Sequence, residues 1–267
     1  MYLVTSEKDA SENKTVIMKK IIFLLLLSAG ILGIFASKPK GSLTYCSYSK
    51  TGAAGLGKDY CELIADPDSV PRIVVVLDEG NRFGDPVTRQ TYPVDAKTVD
   101  SLQKLLLANK VYKLAGYNVD EAICGGYSYR IYMEYSSGDK VNARWYGHKV
   151  SDDAWAAYAL IERFFSPWRT RAVKDGQIQR IVERVTKMEA ASDRISSAIR
   201  KKKAYPELQD DVNALQDYLS SREWKEDFEA DERGELPKDL HRGVLSEDGL
   251  YNLLNNRTLL RLLAASK

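Results

Sequence analysis

The hydrophobic residues of this chain change their spacing at about Asp175, and that change demands two kinds of structure. Beyond it, Ile178, Ile181, Val185, Met188, Ile195 and Ile199 follow at alternating three- and four-residue steps, with Ser192 filling one place. Leu208, Val212, Leu215 and Leu219 repeat the pattern after the connector "KKKAYP". Such steps stack side chains along one face of an α-helix and form the seam of a coiled coil. Two helices with so short a joint fold back as an antiparallel helical hairpin. Pro206 suits the first turn of the second arm. A third helix is expected from Ser246 through "SEDGLYNLLNNRTLLRLLAA", with Leu245 and Leu250 as a hydrophobic staple around its cap. Residues 174–267 therefore read as an all-α domain.

Before Asp175 the period is two. Tyr127, Tyr129, Ile131, Met133 and Tyr135 alternate with Ser128, Arg130, Tyr132 and Glu134, and Ser-Gly-Asp supplies a turn, so Tyr127–Gly147 reads as a β-hairpin. Leu43–Ser49, "YCELIA" and Arg72–Glu79 are further strands, the last an apolar run suited to a central position. "GNRFGDPVTRQTYPV" holds turn signals and at most one short edge strand. Asp95–Lys110 is a helix with Asp95 as N-cap and Val99, Leu102, Leu105 and Leu106 as its stripe. A second helix is expected over Ser151–Phe165, capped by Ser151 and stopped before Pro167. Residues 41–168 thus form an α+β domain, an antiparallel sheet with two helices on one face. In order and spacing it resembles small exported bacterial domains of unknown function.

The front of the chain is of another kind. Lys19–Lys20 precede the apolar run "IIFLLLLSAGILGIFA", Ile21–Ala36. A positive segment before an apolar run is the layout of a secretory signal. Met18 is the natural start, with Met1–Ile17 as an upstream extension. Ile34 makes a poor small-x-small site before Ala36. Residues 18–37 therefore read either as a signal peptide or as a retained membrane anchor, lysines inside. The chain is expected to be exported to a periplasm or cell envelope, and to meet the membrane through this segment.

Charge excludes one partner class. The net charge is only +2. Residues 1–40 carry six Lys/Arg against three Asp/Glu, and residues 172–267 carry seventeen against eighteen. Neither downstream domain has the basic excess that phosphate backbones demand, so no nucleic acid is expected. The three cysteines leave two readings: a Cys46–Cys61 bridge between neighbouring strands in an oxidising compartment, or small buried hydrophobes. Cys124 in "CGG" has the accessibility of a turn nucleophile but no histidine near it in sequence. With two histidines and no CxxC, HExxH or GxSxG, no catalytic residue, metal or cofactor is assigned.

The densest stretch is "WKEDFEADERGELPKDLHRGVLSED", Trp224–Asp248, with seven carboxylates between Glu223 and Glu235. Local physics accounts for most of it. Glu223–Glu232 continues the second helical arm, with Trp224 and Phe228 on one face. Gly234 lets the helix leave through a left-handed residue, and Pro237 enforces the stop. Glu247 and Asp248 suit the dipole of the next helix. The functional alternative gathers Asp227, Asp231 and Glu235, one turn apart, with Asp239, His241 and Glu247 folding back, as an oxygen-rich cation site, and the candidate binding residues are Asp227, Asp231, Glu235, Arg242, Glu247 and Asp248. Arg242, Arg233 or Lys238 would serve as counter-charges without any metal.

The same residues carry a resemblance. "EWKEDFEADERGELPKDL" followed by "RGVLSEDGLYNLL" resembles a family of short bacterial proteins known only as a domain of unknown function. The likeness spans about Gln177–Ala264 and implies a helical module of about ninety residues. It implies no activity.

The expectation is an exported or membrane-anchored, non-catalytic interaction or structural protein, with a protein partner or self-association through leftover seam surface. The rivals are a divalent-cation-dependent hydrolase using the acidic cluster, and a cytosolic adaptor with a spurious N-terminus.

Overall fold

The computed structural model describes residues 37–52, 57–78, 87–121, 125–147 and 149–265. The apolar run Ile21–Ala36, Cys124 and His148 lie outside the described residues. The chain divides into two compact units that part between Ser166 and Pro167, with Thr88–Gln90 grouped with the second.

The first unit is built on a sheet with seven strands among the described residues, in the order β4-β3-β2-β1-β6-β7-β5. These are β1 Leu43–Gly52, β2 Lys58–Ile64, β3 Arg72–Leu77, β4 Thr88–Pro93, β5 Asn118–Asp120, β6 Tyr127–Tyr135 and β7 Lys140–Tyr146. β1 pairs antiparallel with both β2 and β6, while the three-residue β5 lies parallel to β7 at one edge. β4 is the expected edge strand; β5 was too short to leave a periodic signal. Alternation sends Cys46, Tyr48, Cys61, Leu63, Ile131, Met133 and Trp145 to one face, where all are buried. Helix α1, Ala96–Ala108, adds Val99, Leu102 and Leu106 to the core, and Asp95 caps it by accepting from Thr98 N. Tyr158 and Phe165 stand 5.3 and 5.5 Å from Tyr48, ring to ring. The fold is the expected α+β, built on an antiparallel-rich sheet.

Cys46 and Cys61 are not bridged. Cys46 lies opposite Leu63 and Cys61 opposite Tyr48, so the two are diagonal rather than paired. Diagonal Cβ atoms lie about 7–8 Å apart, beyond the roughly 4 Å a disulfide spans. Cys46 is a free, buried thiol whose pKa burial pushes up to about 12.

The stop expected before Pro167 does not occur. Helix α2 runs without interruption over Asp152–Lys201, with Pro167 inside it. Proline removes the hydrogen bond owed to the carbonyl four residues back. Ser166 Oγ donates to Arg163 O at 2.9 Å and fills that vacancy. Ser151 caps the start as expected, accepting from Ala154 N. At the far end Lys202 takes a left-handed φ of 53°, and Lys203 N reaches back to Ala198 O at 3.1 Å.

From Pro167 onward the described residues are all-α. Beyond α2 they form α3 Leu208–Leu219, α4 Arg222–Glu232, α5 Glu247–Leu254 and α6 Arg257–Ala265. Both long arms expected after α2 are broken by polar pairs. Ser221 ends one continuous reading by accepting from Trp224 N as an N-cap, while Ser220 Oγ bonds back to Gln216 O. Asn256 does the same between α5 and α6, accepting from Thr258 N at 2.9 Å. The seam residues still form the core: Val185, Ile195, Leu208, Val212 and Leu215 are buried, and Ile178, Ile181, Met188, Ile199 and Leu219 pack against them.

Candidate functional site

Asp227 sits on the inner face of α4 and is fully buried. A lone carboxylate there would be prohibitively costly. Arg184 on α2 meets it with a two-pronged bond, Nε to Oδ2 at 2.8 Å and Nη2 to Oδ1 at 2.5 Å. Tyr218 on α3 donates its hydroxyl to Oδ2 at 2.8 Å. One carboxylate thus ties three helices together. The Asp227 bond raises the Arg184 pKa further, and burial followed by the Asp227 bond pushes the Tyr218 phenol up. Neither group exchanges protons in the physiological range.

The same trio recurs ten residues along α2. Arg194 meets Asp211 of α3 through Nε and Nη2 at 2.8 and 2.7 Å, and Tyr205 donates to Asp211 Oδ2 at 2.6 Å. The Arg194 bond holds the Asp211 carboxyl below its ordinary range despite partial burial.

The remaining acidic residues do not converge. Asp231 faces Arg242, whose Nη1 stands 3.1 Å from Oδ1. The contact is an ion pair off the hydrogen-bond line, leaving Asp231 Oδ1 and Arg242 Nε buried without a hydrogen-bond partner. Arg242 Nη2 instead donates to Pro237 O at 2.6 Å, pinning the loop after α4. Glu235 is beyond the helix rather than one turn along it. It meets Lys174 at 3.0 Å and Arg233 at 3.1 Å, Lys174 first among the causes that hold its pKa down. Glu247 and Asp248 are exposed in the first turn of α5. Of the six residues singled out as a binding set, Asp231 and Arg242 are the pair brought together. Among the described residues no group of three His, Cys, Asp or Glu is gathered as a metal would require.

The local punctuation follows the sequence closely. Gly234 has φ 66°, with Glu235 N bonded to Ala230 O at 3.0 Å and Gly234 N to Asp231 O at 2.8 Å. This is the left-handed exit that closes a helix by a 6→1 and a 5→2 bond. Trp224 and Phe228 stack at 5.4 Å. Ser246 caps α5 through Gly249 N at 3.1 Å, and Leu245 and Leu250 beside it are both buried. Sequence spacing does not reveal Arg184, Tyr218 and Glu189, nor the second trio of Arg194, Asp211 and Tyr205. Glu189 on α2 accepts from Val244 N at 2.6 Å while Trp224 Nε1 donates to Val244 O at 2.9 Å, so the Gly243–Leu245 turn is gripped from both sides. Arg184 stands next to the seam residue Val185 and looks solvent-bound by spacing alone. Its signal is indirect, an aspartate beside an apolar stripe with no cation three or four residues away on the same helix.

Residues 178–263 match the family described as Domain of unknown function (DUF4298). The match covers the helical unit, where the resemblance was read. No curated protein and no solved structure matches the chain.

Proposed function

We propose that the protein is exported or membrane-anchored and acts as a non-catalytic interaction or structural protein. Its α+β unit is read as a small exported bacterial domain, and its helical unit as a rigid module. The observation that supports the non-catalytic reading is the pairing of the acidic stretch. Asp227, Asp231 and Glu235 each face a different cation, so this stretch presents no pair of carboxylates aimed at one reacting atom. Contact with a partner or a second copy is part of this reading, with Tyr251 of α5 and Leu260 of α6 among the exposed apolar side chains. Export rests on Lys19–Lys20 ahead of the apolar run, a signal in the sequence alone.

Two measurements test this. Cell fractionation with N-terminal sequencing is expected to find the chain in the envelope, trimmed near Ala36 or membrane-retained. Intact chain in the cytosolic fraction would overturn export and favour the adaptor reading. A thermal-shift screen with Mg²⁺, Ca²⁺, Mn²⁺ and Zn²⁺ is expected to leave the melting temperature unchanged. A cation bound only by the folded state must raise it, and a rise abolished by Asp231→Ala would favour the hydrolase.

A further inference from the structure

The face of the sheet opposite the buried core carries a groove of about 450 Å³. Its floor and walls follow from register. β1 lies between β2 and β6, and across it Ser47 is flanked by Glu62 and Tyr132, and Ser49 by Tyr60 and Arg130. Small hydroxyl side chains thus run along the centre strand between taller neighbours. The walls stand two strand spacings apart, roughly 9–10 Å. Tyr45 shuts one end, its hydroxyl donating to Glu62 Oε2 at 2.6 Å and its ring edge-on to Tyr132 at 5.9 Å.

The two ends differ in charge. At the closed end Glu134 is met by Tyr132 and by Lys140 at 2.8 Å, while Glu62 accepts a hydrogen bond from Tyr45 and keeps its charge. At the open end Lys58 and Arg130 are exposed; among the described residues no ion pair forms at either side chain, and the Asp78 carboxylate accepts from the Lys58 main-chain N at 3.2 Å. Lys58 Nζ lies 5.2 Å over Tyr60, and Arg130 lies 5.1 Å over Tyr132 with Nε donating to Asn142. The two terminal nitrogens of Arg130 stay available as a fork. Arg130 also faces Arg144 directly across β6 and β7, and Arg144 has Asp120 only at 3.9 Å. Like charges opposite each other weaken a sheet. A bound anion at Arg130 would relieve this like-charge pair.

We propose that this groove binds a sugar-sized, hydroxylated ring bearing one oxyanion, a carboxylate or a phosphate. Arg130 and Lys58 take the oxyanion, the arginine through its two-pronged fork. Ser47 and Ser49 exchange hydrogen bonds with ring hydroxyls, Tyr60 and Tyr132 flank the ring, and Glu62 accepts from a hydroxyl at the closed end. The volume lies in the usual range for small-ligand sites. A neutral sugar would leave the cations unanswered, and a bare anion would leave the walls unused.

Calorimetric titration of the full chain at low salt, with glucuronate, glucose 6-phosphate, glucose and inorganic phosphate, tests this. One or both sugar acids are expected to saturate, and the stronger of the two tells carboxylate from phosphate. Glucose and inorganic phosphate are expected to bind at least tenfold more weakly. Arg130→Gln, an exposed change, is expected to weaken the sugar acid at least tenfold, with Lys58→Gln acting in the same direction. The proposal fails if no probe saturates. It also fails if glucose or phosphate binds as tightly as the sugar acids, or if Arg130→Gln shifts affinity less than twofold.

Discussion

The helical unit contains one chemical device at two depths. Arg184–Asp227–Tyr218 and Arg194–Asp211–Tyr205 share residue types, two-pronged geometry and hydrogen-bond lengths. They differ in access to water. The Asp227 side chain is 0% exposed and Arg184 30%, whereas Asp211 is 12% exposed and Arg194 53%. In the deep trio water cannot replace a lost partner, so each member is obligatory. In the shallow trio water can step in, and the pair contributes little more than a surface bridge. Position, not composition, sets what such a cluster is worth.

The largest expected effect falls on the deep trio. Arg184→Met strands the Asp227 charge and should cost about 3–5 kcal/mol, read as a lowered urea midpoint. Arg194→Met should cost about 1 kcal/mol or less. Equal losses would erase the contrast. Replacing Arg184 and Asp227 together by Met and Leu should recover most of the deep loss, since an apolar pair of similar volume is often neutral.

The phenols come next. Tyr218→Phe should cost about 1–2 kcal/mol and Tyr205→Phe about half that, because both remove a bond to a charged acceptor but only Tyr218 is buried. A reversed order would mean that the phenol of the shallow trio is the one that holds it.

Acid sharpens the contrast further. Asp211 is held below its ordinary pKa when folded, so as pH falls the unfolded chain takes up its proton first. Its contribution is full above the ordinary aspartate value of about 4 and drains as pH drops toward the folded value. Stability measured from pH 5 to pH 3 should fall less steeply in Asp211→Asn than in the unaltered chain. Parallel slopes would mean that Asp211 is not the group responsible.

The smallest effect concerns two helix exits of the same form. Gly234 and Lys202 both leave their helices through a left-handed residue, at φ 66° and 53°. Glycine takes that conformation freely, while lysine is strained by its Cβ. Lys202→Gly should therefore raise stability by about 0.5–1 kcal/mol, and Gly234→Ala should lower it by a similar amount.

Sequence patterns carried the periodic parts of the molecule and missed what depends on contacts distant in sequence. The seam from Ile178 to Leu219, the Asp95, Ser151 and Ser246 caps and the Gly234 exit are local, and each was legible. Helix lengths were misjudged wherever one side chain decided the matter. Ser166 rescued a helix through Pro167, while Ser221 and Asn256 each ended one. The acidic stretch was read as neighbours one turn apart, but its carboxylates are sorted by partners far along the chain, 43 residues away for Asp227. The groove depended on which residues of β2 and β6 stand beside Ser47 and Ser49. Alternation gives the face of each residue but not its neighbour across the strand.

The buried thiol on β1 has a practical meaning. Cys46 is 0% exposed and holds its proton to about pH 12, so alkylating reagents and oxidants find no thiolate to attack while β1 stays paired. Its labelling rate becomes an internal clock for the rare openings of the middle of the sheet. The same protection keeps this sulfur reduced in surroundings that oxidise exposed cysteines.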